Sequence, residues 1–329
     1  MRRTLVTPLA VLVIIAALAC GNAPPPAAGT EPASVTAAST TAPTDRFAGA
    51  WSLVRIERRD ADGELTAPPI EDRLGYLIYD AAGYMGVTIM RSDREPYSAD
   101  GPTPDEALAQ LGSYTSYFGR FSINEAEVFV THHLEGSLSP GGAGSDYKRF
   151  FTFEDNRLTL QPPAGASGAK SYLTWEKLPD LPASKLTDTH RRLFGFYQIE
   201  SVSRQRSDGE SLPVDQYDTA YIIYAPSGHM SVHLMRPGRK PYAAGGPTPQ
   251  EALQAVQTYG SYFGPFSVHE EEGYLVHHRI GNENPGGTGT DAQRYYELTD
   301  THLTLRPPPG TDSEGRQVQS ALRWARISN

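Results

Sequence analysis

Two adjacent histidines occur twice in this chain, as His132-His133 and, 145 positions later, as His277-His278. Histidine can transfer protons near neutral pH, bind a metal or hold a ligand through hydrogen bonds. Both pairs lie in strand-like runs, where neighbouring side chains point to opposite faces, so one pair cannot chelate a single metal ion. Phe129 alternates with His133 on one face, and we therefore expect His133 and His278 to point inward as candidate ligand-binding residues. The alternative is a histidine that is only hydrogen-bonded within the core.

Four arginines at equivalent positions of the two copies are the next candidates: Arg91, Arg149, Arg236 and Arg294. Apolar residues alternate along 85–89 and should face inward, which places Arg91 and Arg236 at the ends of inward rows. Arg149 shares a face with the phenylalanines that follow it. An inward guanidinium at the mouth of a cavity could bind a carboxylate or phosphate through two hydrogen bonds. The alternative is a structural ion pair, or stacking on an aromatic ring.

Tyrosines form the third candidate set. Six tyrosines could place hydroxyl groups in the cavities, although packing is the alternative: Tyr79, Tyr97, Tyr117 and their equivalents Tyr224, Tyr242 and Tyr262. A histidine, an arginine and a tyrosine together could perform general acid–base chemistry on a bound ligand, or could simply orient it. The sequence contains no nucleophile elbow, phosphate-binding loop, paired-cysteine zinc site or HExxH motif. We therefore expect no metal and no cofactor, and we assign no catalytic residue.

These candidates recur because the chain contains one structural unit twice. Residues 76–163 and 221–308 align without a gap, and about half of the aligned positions are identical. Within each copy, short strand-like runs are separated by turn signals such as Asp62-Gly63 and Asp208-Gly209. Runs of this number and spacing predict an all-β fold class with two consecutive antiparallel β-barrels.

One amphipathic helix is predicted within each barrel. Thr103 and Glu106 have the spacing of a capping box, and apolar residues follow at helical intervals. The spacing predicts a helix over 104–119 and its equivalent over 249–264, each ended by the aromatic pair and the glycine that close the range. We expect the apolar side of this helix to cover one end of each barrel.

The motif set resembles a known family. In copy one it comprises Gly49, Trp51, Tyr79, Gly83-Tyr84-Met85, Met90-Arg91, Thr103-Pro104, Tyr117-Phe118-Gly119, His132-His133, Glu135-Gly136, Arg149, Leu158-Thr159-Leu160 and Trp175-Glu176. This combination resembles the lipocalin superfamily and, within it, the bacterial and fungal lipocalin-like domain family. The resemblance implies a cup-shaped barrel that holds a small apolar or amphiphilic molecule. Copy two has Tyr197 where copy one has Trp51, and Arg279 where it has Leu134, which makes identical ligands less certain.

The first 19 residues resemble a bacterial lipoprotein signal peptide. Two arginines follow Met1, an apolar stretch covers 9–19, and Cys20 is the only cysteine. The lipobox-like sequence Ala17-Leu18-Ala19-Cys20 predicts lipidation of Cys20, and an ordinary signal peptide is the alternative. A single cysteine excludes an intramolecular disulfide.

Composition divides the rest of the chain. Residues 20–45, rich in Pro, Ala and Thr, predict a flexible tether. We expect the first barrel over 46–178, a linker over 179–190 and the second barrel over 191–328.

The composition and the N-terminal targeting signal limit the possible functions. The net charge is −9 and no long basic run occurs, so nucleic-acid binding has no electrostatic basis. We expect an exported, membrane-anchored lipoprotein, on the periplasmic face or in the outer membrane where the cell has one. Three functions stay open: a binding module for a small hydrophobic or amphiphilic molecule, an isomerase- or cyclase-type enzyme, and a ligand-free scaffold of the envelope.

Overall fold

The first repeat closes into an eight-stranded antiparallel barrel, barrel 1. The computed structural model describes residues 43–243 and 246–328. The elements of barrel 1 are α1 (Pro43–Phe47), β1 (Gly49–Arg59), β2 (Arg73–Tyr79), β3 (Tyr84–Arg91), α2 (Pro104–Ser113), β4 (Tyr114–Asn124), β5 (Phe129–Ser137), β6 (Asp146–Glu154), β7 (Arg157–Gln161) and β8 (Lys170–Lys177). Each strand pairs with the next, and β8 returns to pair with β1. This closure confirms the predicted fold class for the first copy.

The second repeat forms an equivalent barrel, barrel 2. Its elements are α3 (Asp188–Leu193), β9 (Gly195–Arg206), β10 (Thr219–Tyr224), β11 (His229–Met235), α4 (Pro249–Gln257), β12 (Tyr259–His269), β13 (Tyr274–Arg279), β14 (Gly281–Asn282), β15 (Thr290–Leu298), β16 (His302–Arg306), β17 (Gly310–Thr311) and β18 (Gln317–Ser328). Pairing of β11 with β12 and of β18 with β9 closes the ring, while β14 and β17 are short additions. The prediction of two consecutive barrels is therefore confirmed.

Alternate residues of the strands fill the interior of barrel 1. Met85, Val87 and Ile89 belong to the same buried cluster as Leu77 and Trp175, so this row faces inward as predicted. Burying each such side chain contributes about 1.5–3 kcal/mol relative to leaving it exposed.

Each barrel is closed at one end by a short helix that the sequence analysis did not predict. The ring of Phe47, at the end of α1, lies edge-on to Tyr79, and its carbonyl accepts a 2.8 Å hydrogen bond from Trp51 Nε1. Leu193 ends α3, and its carbonyl accepts a 3.0 Å bond from the Tyr197 hydroxyl. Tyr197 thus replaces Trp51 with the same bond intact. Both helices begin within the segments predicted as tether and linker.

The inserted helix starts as predicted but is shorter. The Thr103 side chain accepts a hydrogen bond from the Glu106 backbone N–H, and the Glu106 carboxylate accepts one from the Thr103 N–H. This capping box is the predicted one. However, α2 ends at Ser113, so the prediction of a helix to Gly119 is wrong. Its equivalent α4 ends at Gln257, also earlier than predicted.

The aromatic run after α2 forms a strand because the side chains on both of its faces are buried. Tyr117 lines the interior of barrel 1, whereas Tyr114 and Phe118 pack in the cluster between the barrels. Aromatic residues favour strands where both neighbours can pack against them. Gly119 lies at a β-bulge, where a side chain would collide with the carbonyl of His133. This glycine permits a close approach of strands and does not end a helix.

The two barrels pack against each other through equivalent residues, which gives the interface approximate twofold symmetry. Ser261 Oγ lies 2.9 Å from the Tyr114 hydroxyl, and Ser116 Oγ lies 3.0 Å from the Tyr259 hydroxyl. Helices α2 and α4 contact each other in the same interface. The prediction that the helix covers a barrel end is therefore wrong, because its apolar side packs against the other copy.

The predicted lipidation site lies outside the part of the chain that the structure describes. Cys20, the signal peptide and most of the tether lie outside the described residues. Within residues 43–243 and 246–328, no helix is long and apolar enough to cross a membrane.

Candidate functional site

The histidines that point into the barrels are His132 and His277, both fully buried. The prediction that His133 and His278 face inward is wrong. Along β5 the inward face carries Val130 with His132, and the outward face carries His133, so the alternation runs opposite to the choice made from Phe129.

Two tyrosines hold each buried histidine. In barrel 1 the Tyr79 hydroxyl lies 2.6 Å from His132 Nε2, and the Tyr117 hydroxyl lies 3.2 Å from His132 Nδ1. A neutral imidazole has one donor and one acceptor nitrogen, so one tyrosine donates to the ring while the other accepts from it. Both ring nitrogens are therefore occupied.

Barrel 2 repeats this arrangement. The hydroxyls of Tyr224 and Tyr262 lie 2.7 Å and 2.9 Å from the two nitrogens of His277. Tyr117 and Tyr262 were named as site residues from the sequence, whereas Tyr79 and Tyr224 were only possible members. The arrangement places all four tyrosines around the inward histidines.

Burial keeps the centre of barrel 1 neutral. It lowers the pKa of His132 well below the usual range, and the positive charge of Arg149 lowers that pKa further. Burial also raises the pKa values of Tyr79 and Tyr117. A neutral imidazole between two protonated phenols is rigid and carries no net charge.

A cavity of about 370 Å³ lies inside barrel 1. Its wall is about half apolar and half polar, and the apolar part includes Leu77, Val87, Ile89, Leu160, Leu173 and Trp175. Four arginines also line it: Arg58, Arg73, Arg91 and Arg149. Tyr117 is the member of the histidine–tyrosine centre that reaches this cavity.

The predicted arginines occupy two kinds of position. Arg149 lines the cavity as expected, with Nη1 donating to the Lys148 carbonyl at 2.9 Å, and Arg294 makes the equivalent bond. Arg91 ends its inward row as predicted, but its guanidinium is exposed and pairs with Asp93. Arg91 also lines the cavity, so the structure places it at the mouth of the barrel, where an acidic residue of the rim neutralises its charge.

Arg236 shows the same pairing at the rim. It follows the last residue of β11, and its Nη2 lies 2.7 Å from Asp215 Oδ2. The equivalent arginines of the two barrels therefore both belong to ion pairs at the rim.

A pocket of about 340 Å³ adjoins the cavity of barrel 1 and shares Tyr117 and Arg149 with it. Barrel 2 contributes Tyr242 and Pro247 to its lining. The surroundings of Arg149 are therefore built by both barrels, which the pairing pattern within one copy could not have indicated.

The outward histidines belong to polar arrays on the barrel surface. His133 Nε2 lies 2.8 Å from Ser122 Oγ, and His133 Nδ1 lies 2.7 Å from Asp146 Oδ1. The same connections recur in barrel 2 among Ser267, His278 and Asp291. The connectivity is that of a serine-hydrolase relay. The Asp146 side chain is 67% exposed, so water screens it, and none of the three residues lines the cavity. We assign these arrays to the solvated surface.

The fold and the site define a class of tandem antiparallel β-barrels with an internal cavity. The model of the lipocalin-like domain matches residues 48–178 and 194–327. The chain therefore belongs to the lipocalin-like domain family, as the motif resemblance indicated. Among the described residues, no group of histidine, cysteine, aspartate and glutamate side chains could hold a metal ion.

Similar solved structures are distant in sequence. A protein of unknown function from the DUF3598 family of Nostoc punctiforme is 10% identical, with 86% of this chain and 97% of that chain covered and a TM-score of 0.23. A putative outer membrane protein from Bacteroides fragilis is 8% identical, with 86% and 98% covered and a TM-score of 0.21. Transferrin Binding Protein B from Haemophilus parasuis is 8% identical, with 78% and 54% covered and a TM-score of 0.20. Scores this low carry no argument about function. No curated protein matches the sequence.

Proposed function

We propose that the protein binds a small apolar or amphiphilic molecule in barrel 1. The observation that carries this proposal is the cavity of about 370 Å³, whose wall combines an apolar part with polar side chains that include four arginines. Ligand sites are typically cavities of roughly 300–1,000 Å³, mainly apolar, with a few polar groups that orient the ligand. The cavity of barrel 1 has that size, and it places apolar side chains beside arginines that could orient a polar head group.

Binding accounts for the histidine–tyrosine centre better than catalysis does. A general acid or base must reach the substrate with a free proton site. Both nitrogens of His132 are bonded to tyrosines, and His132 does not line the cavity. Burial raises the pKa of Tyr117, which leaves this hydroxyl protonated and able to donate a hydrogen bond. Tyr117 therefore acts as an orienting group held in place by His132.

A variant that fills the cavity tests this function. Ile89 lines the cavity and is only partly buried, so tryptophan can enter there with little strain on the core. With the neutral fluorophore N-phenyl-1-naphthylamine as probe, we expect Ile89→Trp to weaken binding by at least about tenfold. Leu234→Trp, at the equivalent position of barrel 2, is the matched control. Binding that survives Ile89→Trp unchanged, or no binding by the wild type, would refute a site in barrel 1.

We also propose that Cys20 carries a lipid and anchors the protein to the cell envelope. The proposal rests on the lipobox-like sequence that precedes the only cysteine. Mass spectrometry of the mature N-terminus should show a diacylated or triacylated cysteine, and Cys20→Ser should release the protein from the detergent phase into the aqueous phase. An unmodified mature N-terminus downstream of residue 20 would contradict the anchor.

A further inference from the structure

The arginines around the cavity of barrel 1 carry more positive charge than their partners neutralise. Arg91 is paired with Asp93. Among the described residues, neither Arg58 nor Arg149 forms an ion pair with a carboxylate, and both line the cavity. Arg73 has two acidic neighbours, Asp72 and Asp93, and Asp93 is already paired with Arg91. The cavity therefore presents three guanidinium groups with little compensation.

Arg73 is the least satisfied of the three. Its Nη1 is buried and has no hydrogen-bond partner within the described chain, and the Asp72 carboxylate lies 3.7 Å away. The side chain as a whole is 21% exposed. A buried donor without a partner is costly, and more so when it is charged. An anionic group at the cavity would supply the missing acceptor and two guanidinium neighbours could bind it as well.

Barrel 2 differs at this position. Leu74 pairs with Met90 and Thr219 with Met235 in the same register, so Asp218 occupies the place of Arg73. The preceding residue is also changed, from an exposed aspartate to a tyrosine. Barrel 2 therefore has an acid where barrel 1 has its unsatisfied arginine.

Tyr217 fills part of barrel 2. Its ring packs against the interior cluster of that barrel, close to Tyr262 and Arg236, and burial raises its pKa. Arg236 is in turn neutralised by Asp215. The interior of barrel 2 is thus partly filled by Tyr217, and its rim carries less positive charge than the rim of barrel 1.

We propose that barrel 1 alone binds an amphiphile with an anionic head, one molecule per chain. The head, a carboxylate or a phosphate, lies among Arg58, Arg73 and Arg149, and the apolar tail packs against the wall that contains Trp175. This inference rests on the proposed function, because it names the ligand class of the same cavity. It adds that the duplication has left one binding barrel and one whose rim disfavours anions.

Isothermal titration calorimetry on the purified full chain tests separately whether the cavity binds an amphiphile and whether it prefers an anionic head. The probes share a twelve-carbon tail and differ in the head: dodecanoate, dodecyl phosphate and dodecanol. We expect at least one of the two anions to bind at one site, about tenfold or more tighter than the alcohol. Comparison of the two anions distinguishes a carboxylate-headed ligand from a phosphate-headed one.

Variants exchange the distinguishing residue between the barrels. Arg73→Asp should collapse the preference for an anion over the alcohol, and Arg73→Gln, which keeps a similar length, should do the same if the fold is intact by circular dichroism. Asp218→Arg in barrel 2 should leave the preference of barrel 1 unchanged. Equal binding of alcohol and anions, an unaltered preference in both Arg73 variants, or two anion sites per chain would overturn the inference and leave the cavity function standing. Absence of binding by all three probes would overturn both.

Discussion

Replacing His132 with leucine is expected to lower the free energy of unfolding by about 3 kcal/mol near pH 7.5, because two buried hydroxyls lose their partner. Tyr79 and Tyr117 donate to or accept from this ring on opposite sides, and His132 itself is fully buried. Each orphaned hydroxyl costs about 1–3 kcal/mol, and the new side chain recovers part of this by apolar burial. Urea denaturation followed by circular dichroism measures the change.

Two controls show whether the bonds to His132 cause the effect. His133→Leu changes the adjacent, 41% exposed histidine on the outer face and should cost less than about 1 kcal/mol. The triple variant with phenylalanine at 79 and 117 and leucine at 132 removes all the polar partners together, and should recover part of the lost stability. Equal effects at 132 and 133 would show that the buried histidine has no special role.

The pH dependence provides a second test of the same centre. Burial lowers the pKa values of His132 and His277 in the folded state, so the unfolded chain binds more protons below about pH 6.5. Stability should therefore fall as the pH drops through that value, by about 1.4 kcal/mol per histidine at one pH unit below it. The destabilisation caused by His132→Leu should shrink accordingly at acid pH. A difference between wild type and variant that is constant from pH 8 to pH 5 would contradict a buried neutral imidazole.

Local patterns were sufficient to predict the repeated barrels and the start of the helix. The capping box of Thr103 and Glu106 needs only three residues of separation, and the structure contains it. The alternating row of 85–89 needs only the strand period, and it faces inward. These features depend on neighbours in the chain, which is why the sequence specifies them directly.

The end of the helix and the face of the histidine pair depend on distant contacts. Tyr114 and Phe118 lie on one face of β4, and Tyr117 lies on the other. Because aromatic residues occupy both faces, β4 lacks the apolar–polar alternation of a strand, and the spacing of its aromatic residues resembles that of a helix. The outer face is apolar because it contacts the other barrel. The sequence of one copy does not indicate that its outer wall is buried by the second copy. For the same reason it does not indicate that α2 and α4 pack against each other.

A sequence signal for the inward histidine did exist. Glu135 lies on the outer face of barrel 1, where it accepts a hydrogen bond from Tyr221, and it has the same strand parity as His133. Val130 and Leu134, both buried, have the parity of His132. The charged Glu135 on the face of His133, and the apolar Val130 and Leu134 on the face of His132, together predict that His132 points inward. Phe129 alone predicts the opposite.

Glu283 is a buried carboxyl in the interface between the barrels. It occupies the place that Leu138 has in the other half of the interface between the barrels, and it is buried beside Gln110, which donates to its side chain and its carbonyl. Burial raises the pKa of Glu283 to about 8, while Arg94 opposes this. Between the ordinary value and about 8 the folded state binds more protons than the unfolded state, so this carboxyl makes stability fall as the pH rises.

Glu283→Leu is therefore expected to raise the free energy of unfolding by about 3 kcal/mol near pH 9, and by much less near pH 5, where the carboxyl is protonated in the folded protein. Glu283→Gln should remove the same pH dependence while keeping the shape and the partner Gln110. The double variant Glu283→Leu with Gln110→Ala reproduces Leu138 and Ala255, the residues at the equivalent positions of the other half, and should be at least as stable as the single variant. Urea midpoints from pH 5 to pH 9 decide the matter: parallel profiles for the wild type and the Glu283→Leu variant would show that Glu283 does not titrate in this range.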